Sequence, residues 1–234
     1  MKIKHQSHLA LFTILLLLHA QPACAADSAA PADVLSVDPA GSFVLDGIPF
    51  TLAQYDHQWI RTTLSALNLD ATKTSAPVDG TWTTHGTLPI KDKSLSFDGL
   101  IKKTGTNQYH LVYKATLADG LPTEVVCLEI DLPIDQTAGK QILLDGQPFT
   151  LPTSVVAGQA LLVQNASKLV VPSLTGTITV EGNLSVYLQD ERNWNGTTFK
   201  IRLELAHDDL TTATGPVPAQ IDLNLTYTPT PVTK

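Results

Sequence analysis

The densest polar stretch of the chain is Gln189-Asp190-Glu191-Arg192-Asn193-Trp194-Asn195-Gly196. Asp190, Glu191, Asn193 and Asn195 offer oxygens there, but their spacing is not that of a calcium loop. An Asx-type turn at a sheet edge, closed by an Asp190–Arg192 ion pair, accounts for the same residues and competes with a calcium or sugar site. Tryptophan brings a second chemistry. Trp194 in this turn, and Trp59 with Tyr55 four residues before it, lie outside cleanly alternating strands. An indole face is what the C–H face of a sugar stacks on while the hydroxyls bond nearby amides and carboxylates. Tyr55, Trp59, Asp190, Arg192 and Trp194 are therefore the candidate ligand-binding residues, with core packing as the competing fate of the aromatic ones.

Other chemistries find little support. His57, His85, His110 and His207 show no i, i+2 or i, i+4 pairing, so no zinc site is expected. The sequence has no Gly-x-Ser-x-Gly, phosphate loop or dinucleotide fingerprint. Two acids suited to glycosidic hydrolysis could come from anywhere in a fold, but nearly every acid reads as a turn residue or as the wet side of an alternating strand. No catalytic residue, metal or cofactor is expected, and the chain reads as non-enzymatic. Four Asn-x-Ser/Thr triplets, at Asn165, Asn183, Asn195 and Asn224, matter only if the source glycosylates such sites.

The elements that must position these residues lie beyond the first 25. Lys2 and Lys4, the apolar run Leu9 to Leu18 and Ala23-Cys24-Ala25 have the form of a secretion signal, read as residues 1–25 and removed; lipid modification at Cys24 is the lesser alternative. The remainder has no second long apolar run, so no transmembrane segment is expected after cleavage. The mature chain would keep one cysteine, Cys127, which leaves no intramolecular disulfide and makes core burial the source of stability. Without Lys2 and Lys4, 13 basic residues face 22 acidic ones, a net of −9 that argues against nucleic acid and anionic membranes as partners.

The core-forming pattern is that of strands. In Ile221 to Thr228, Ile221, Leu223, Leu225 and Tyr227 alternate with polar residues, and Phe199, Ile201, Leu203 and Leu205 do the same. "VLDGIPFTL" (44–52) and "LLDGQPFTL" (143–151) each read as a hairpin around Asp-Gly, whose positive φ angles suit a tight turn. Further blocks keep the same order in both halves: Gly86–Leu88 with Gly176–Ile178, Tyr109–Tyr113 with Phe199–Leu203, and Leu128–Ile130 with Leu223–Leu225. The expected fold is all-β: two tandem antiparallel β-sandwich-like units related by an internal repeat. The divisions are a linker at 26–36, unit one at 37–133, unit two at 134–229 and a tail at 230–234. His57 to Leu69 alone has helical periodicity and is open to a short helix or a loop. In 124–132 the alternation buries Val126, Leu128, Ile130 and Leu132, which predicts Cys127 on the polar face with Glu129 and Asp131, partly exposed.

The stretch Leu174 to Leu205 resembles β-sandwich accessory segments of large secreted bacterial glycoside hydrolases, through Leu188, Gln189, Asp190, Arg192, Gly196 and Phe199. The first half departs from it, with Ile101-Lys102-Lys103-Thr104 where the second has Gln189-Asp190-Glu191-Arg192. The resemblance implies an accessory part and carries no catalytic residue. Two functions are expected from this: a non-catalytic carbohydrate-binding protein that is secreted, periplasmic or on the cell surface with a polysaccharide partner, or a structural or adhesive component of the cell envelope.

Overall fold

Alternation of apolar and polar residues dominates the sequence, and strands dominate the fold. The computed structural model describes residues 34–63, 68–69, 77–90, 92–158, 160–207 and 215–231; the leader at 1–25 lies outside them. In chain order the strands are β1 (Leu35–Val37), β2 (Phe43–Leu45), β3 (Ile48–Tyr55), β4 (Arg61–Thr63), β5 (Asn68–Leu69), β6 (Thr81–Ile90), β7 (Lys93–Gly105), β8 (Gln108–Leu117) and β9 (Val125–Pro133). After a helical turn α1 (Ile134–Thr137) come β10 (Gln141–Leu144), β11 (Gln147–Thr150), β12 (Leu162–Pro172) and β13 (Gly176–Asp190). A 3₁₀ turn (Glu191–Trp194) leads to β14 (Thr198–Glu204), β15 (Ala206–His207) and β16 (Val217–Pro229).

The main path through the antiparallel sheet is β1-β2-β3-β9-β14-β13-β16-β8-β7-β6-β5, with β10, β11 and β12 branching from β13. β4 continues from β3 and comes against β6, so the sheet is nearly closed. β13 makes the fork. One edge pairs β12, whereas the other pairs β16 over residues 176–182 and β14 over residues 186–190. Strands aligned between the halves pair reciprocally: β9 with β14, and β8 with β16. Both halves supply a single apolar cluster, which includes Phe43, Tyr109 and Tyr113 from the first and Phe199, Ile201 and Leu223 from the second. Leu111, Leu128, Ile130, Leu203 and Leu225 are buried in it as the alternation predicts.

The two Asp-Gly hairpins have the same backbone. Asp46 and Gly47 take φ of 43° and 80°, Asp145 and Gly146 take 47° and 82°, and in each the flanking residues pair directly across a two-residue turn. Both aspartates also accept hydrogen bonds at β12. Asp46 receives Ser173 Oγ and the Thr175 amide, each at 2.7 Å, just past its end. Asp145 receives the amides of Ser167 and Lys168, at 3.0 and 2.9 Å, at its bulge. The helical periodicity from His57 does not produce a helix where the chain is described: a turn over Asp56–Ile60 leads into β4, because backbone pairing with β3 and the β-branched Thr62 and Thr63 favour extension. The rest of that stretch, apart from Asn68 and Leu69, lies outside the described residues.

Candidate functional site

The site grows from the face of β3, β9, β14 and β13 that points away from the core. Register places Cys127 opposite Ala53 and Glu204, Glu129 opposite Thr51 and Arg202, and Asp131 opposite Lys200, while Tyr187 and Gln189 flank Arg202 and Lys200 on β13. Alternation assigns this face to solvent. Instead the central parts of β9 and β14 are buried on both sides. Cys127 is the clearest correction: it does lie on the outer face, but at 0% exposure, packed against Ala53, Tyr55 and Val125. Burial, with the neighbouring Glu129 adding to it, pushes its thiol well above the ordinary range.

Glu129, expected to be wet, is also buried, so its charge must be met from within. It accepts from the Tyr55 hydroxyl, from Arg61 Nε at 2.9 Å and also Nη2, and from Lys200 Nζ at 3.2 Å. Lys200 reaches on to Asp131 at 2.9 Å. Burial alone would raise the carboxyl's pKa, but the Arg61 hydrogen bonds and the Lys200 ammonium outweigh it and hold Glu129 below the usual range. Burial and the adjacent carboxylate push the Tyr55 phenol upward, so it stays a hydrogen-bond donor. Glu129 is thus a fully buried carboxylate met by three donors, two of which, Arg61 and Lys200, come up beside the surface.

Two local structures rise beside this floor. The β3–β4 connection is built on Asp56, whose Oδ1 accepts the amides of Gln58 at 2.8 Å and Ile60 at 3.0 Å. The loop forces Trp59 to φ +60°, a left-handed conformation that a bulky residue seldom adopts. Its indole stands 5.7 Å from the Tyr55 ring and is 53% exposed. The 3₁₀ turn is built on Asp190, which takes the Arg192 amide at 3.1 Å and its guanidinium at 2.9 and 2.7 Å. Arg192 then donates to the carbonyls of Pro152, Thr153 and Ser154, and Asn193 to that of Val156. This side of the turn is scaffold. Its other side presents Trp194, 52% exposed, and Glu191, whose carboxyl burial and the nearby Asp131 raise against the pull of Lys200 and Arg202.

Between these two structures lies a cavity of about 470 Å³. Tyr55, Trp59 and Trp194 all line it, so three of the five sequence candidates are brought together. Asp190 and Arg192 are not among its lining residues; they saturate each other and brace the loop after β11. Sequence reasoning missed Arg61, Tyr187, Lys200 and Arg202, which also line the cavity. A signal for two of them existed: Lys200 and Arg202 share a face at i, i+2, and so do Glu129 and Asp131, but only the pairing of β9 with β14 sets one pair against the other.

Arg202 occupies the centre. Its guanidinium carbon lies 4.6, 5.3 and 5.8 Å from the ring centres of Tyr55, Tyr187 and Trp59. It also lines an adjoining cavity of about 180 Å³. An aromatic-walled pocket over a cationic and amide-bearing floor can stack an apolar ring face and hydrogen-bond oxygens at once. Among the described residues no cluster of three His, Cys, Asp or Glu could hold a metal ion, and no helix is long and apolar enough to cross a membrane. The chain matches no protein-family model and no curated protein.

Proposed function

We propose that this chain is a secreted, non-catalytic β protein, built from two sandwich-like repeats, that binds a carbohydrate in the Trp59–Trp194 cavity. One observation carries the reading: two half-exposed tryptophans, 135 positions apart in sequence, border a single concave surface with a polar floor. Holding Trp59 at φ +60° costs about 1–3 kcal/mol, and backbone strain of this kind concentrates at functional sites. A non-catalytic role is supported by Glu129, the best-connected carboxylate, whose side chain is fully buried below the cavity. Export rests on the signal-like residues 1–25 and is tested by the N-terminal mass of the exported protein.

A glycan array and polysaccharide pull-down, read against intrinsic tryptophan fluorescence, test the binding. A polysaccharide should be retained by the wild type and lost by Trp59→Ala and Trp194→Ala at unchanged folding. Retention that survives both substitutions would remove the cavity from the reading.

A second reading, a structural or adhesive envelope protein, is favoured by a different observation. Among the described residues β11 pairs only with β10, which leaves its outer edge available for strand addition by another chain. Concentration-dependent assembly in solution would support it.

A further inference from the structure

We infer that the cavity recognises an acidic sugar unit, with Arg202 holding the carboxylate while Gln189 and Glu191 accept from ring hydroxyls. This deepens the proposed function and rests on it. The three cations at the floor are not equivalent. Arg61 and Lys200 are committed to Glu129, and Lys200 to Asp131 as well. Among the described residues Arg202 has one loose carboxylate neighbour, Glu191 at 3.8 Å. Its Nε is buried with no hydrogen-bond partner among the described residues, although the residue is 8% exposed. A guanidinium is a planar fork that matches a carboxylate, and the rings of Tyr55 and Tyr187 hold this one in place at little entropic cost.

The neighbouring vacant groups have the opposite character. Gln189 is 7% exposed, and its Oε1 and the Oε1 of Glu191, the oxygen that faces Arg202 at 3.8 Å, are buried acceptors without hydrogen-bond partners among the described residues. A bare anion would satisfy Arg202 and be opposed by these two oxygens. A neutral sugar would satisfy the two oxygens and leave the fork without a charged partner, which forfeits the stronger class of hydrogen bond. One ring that carries both a carboxylate and several hydroxyls meets all three, and its C–H face is suited to the indoles of Trp59 and Trp194. The chain as a whole is acidic, at −7, so such a ligand is not drawn by the general surface and depends on this local cation.

The test is calorimetric titration of the full chain with oligosaccharides of glucuronic, galacturonic and mannuronic acid, their methyl esters, neutral oligosaccharides of the same length and sulfated ones. At least one uronic oligosaccharide should bind about tenfold or more tighter than its own methyl ester, the gain expected of a charged hydrogen-bond pair. Arg202→Gln should remove that preference, and Gln189→Ala should weaken acid and ester alike. The comparison of acid with ester needs no variant, so it stands even if Arg202→Gln folds poorly. Equal binding of acids, esters and neutral sugars would overturn the inference and keep the carbohydrate reading. Tighter binding of sulfated sugars would overturn the carboxylate assignment. No binding of any saccharide would overturn both.

Discussion

Two outer faces of the sheet carry cross-strand pairs between a side-chain nitrogen and a carboxylate and treat them oppositely. On β6, β7, β8 and β16, His85 pairs with Asp98 at 2.5 Å and His110 with Asp222 at 2.7 Å, with the two carboxylate side chains 67% and 56% exposed. On β3, β9 and β14, Glu129 and Lys200 pair at 3.2 Å with the carboxylate at 0%. Both faces alternate apolar and polar residues in sequence. The difference is that β4, the Trp59 turn and the 3₁₀ turn stand around the second face, where the Glu129 side chain has no exposed surface. Charge pairing across a sheet is therefore not itself a site; the cover turns it into a preorganised polar floor at the edge of a cavity.

The comparison breaks first on stability. Glu129→Ala should cost about 3–5 kcal/mol in denaturant unfolding, because Arg61 and Lys200 lose their buried counter-charge. Asp222→Ala should cost less than about 1 kcal/mol, as is usual for an exposed pair. Equal losses would mean that the cover does not matter. On the inner side of β14, Ile201→Ala should cost about 2–5 kcal/mol, which ranks the covered polar face beside the core.

Acid sharpens the contrast. Glu129 titrates lower in the folded chain than in the unfolded one, so its stabilisation is fully present above the unfolded value of about 4.3 and is lost as pH falls through the native one. Denaturant midpoints followed from pH 7 to pH 3 should decline, and the decline should be shallower in Glu129→Gln. An identical acid slope in wild type and variant would remove Glu129 from the account. Cys127 reports on the same cover at no energetic cost: a thiol reagent should leave it unlabelled until denaturant is added, and rapid labelling of native protein would show the face open. The smallest stability effect is expected at Trp59. Trp59→Gly relieves the left-handed strain but loses the indole's packing on Tyr55 and adds glycine's unfolded-state freedom, so the net change should be about 1 kcal/mol or less in the favourable direction, while ligand-induced fluorescence change is abolished.

Much of the fold was legible in the sequence. Period-two alternation marked β8, β9, β14 and β16 and their buried sets, and Asp-Gly marked both hairpin turns, since those signals depend on neighbours a few residues apart. The Asp190–Arg192 pair was legible for the same reason. The aromatic half of the cavity was legible as residues that did not fit strands. Its cationic half was not, because Lys200 and Arg202 look like ordinary solvent-facing members of an alternating strand until β9 is set beside them.

By itself, then, the sequence determined which residues form strands, where the tight turns fall and which side of each strand is apolar, because backbone sterics and side-chain periodicity are local. Only the tertiary structure decided that β9 lies between β3 and β14, bringing Glu129 to Lys200 across 71 positions, and that two turns rise beside the polar face. Alternation separates two faces but cannot say whether the polar one meets water, since that depends on which distant strands pair and where their connecting loops come to rest.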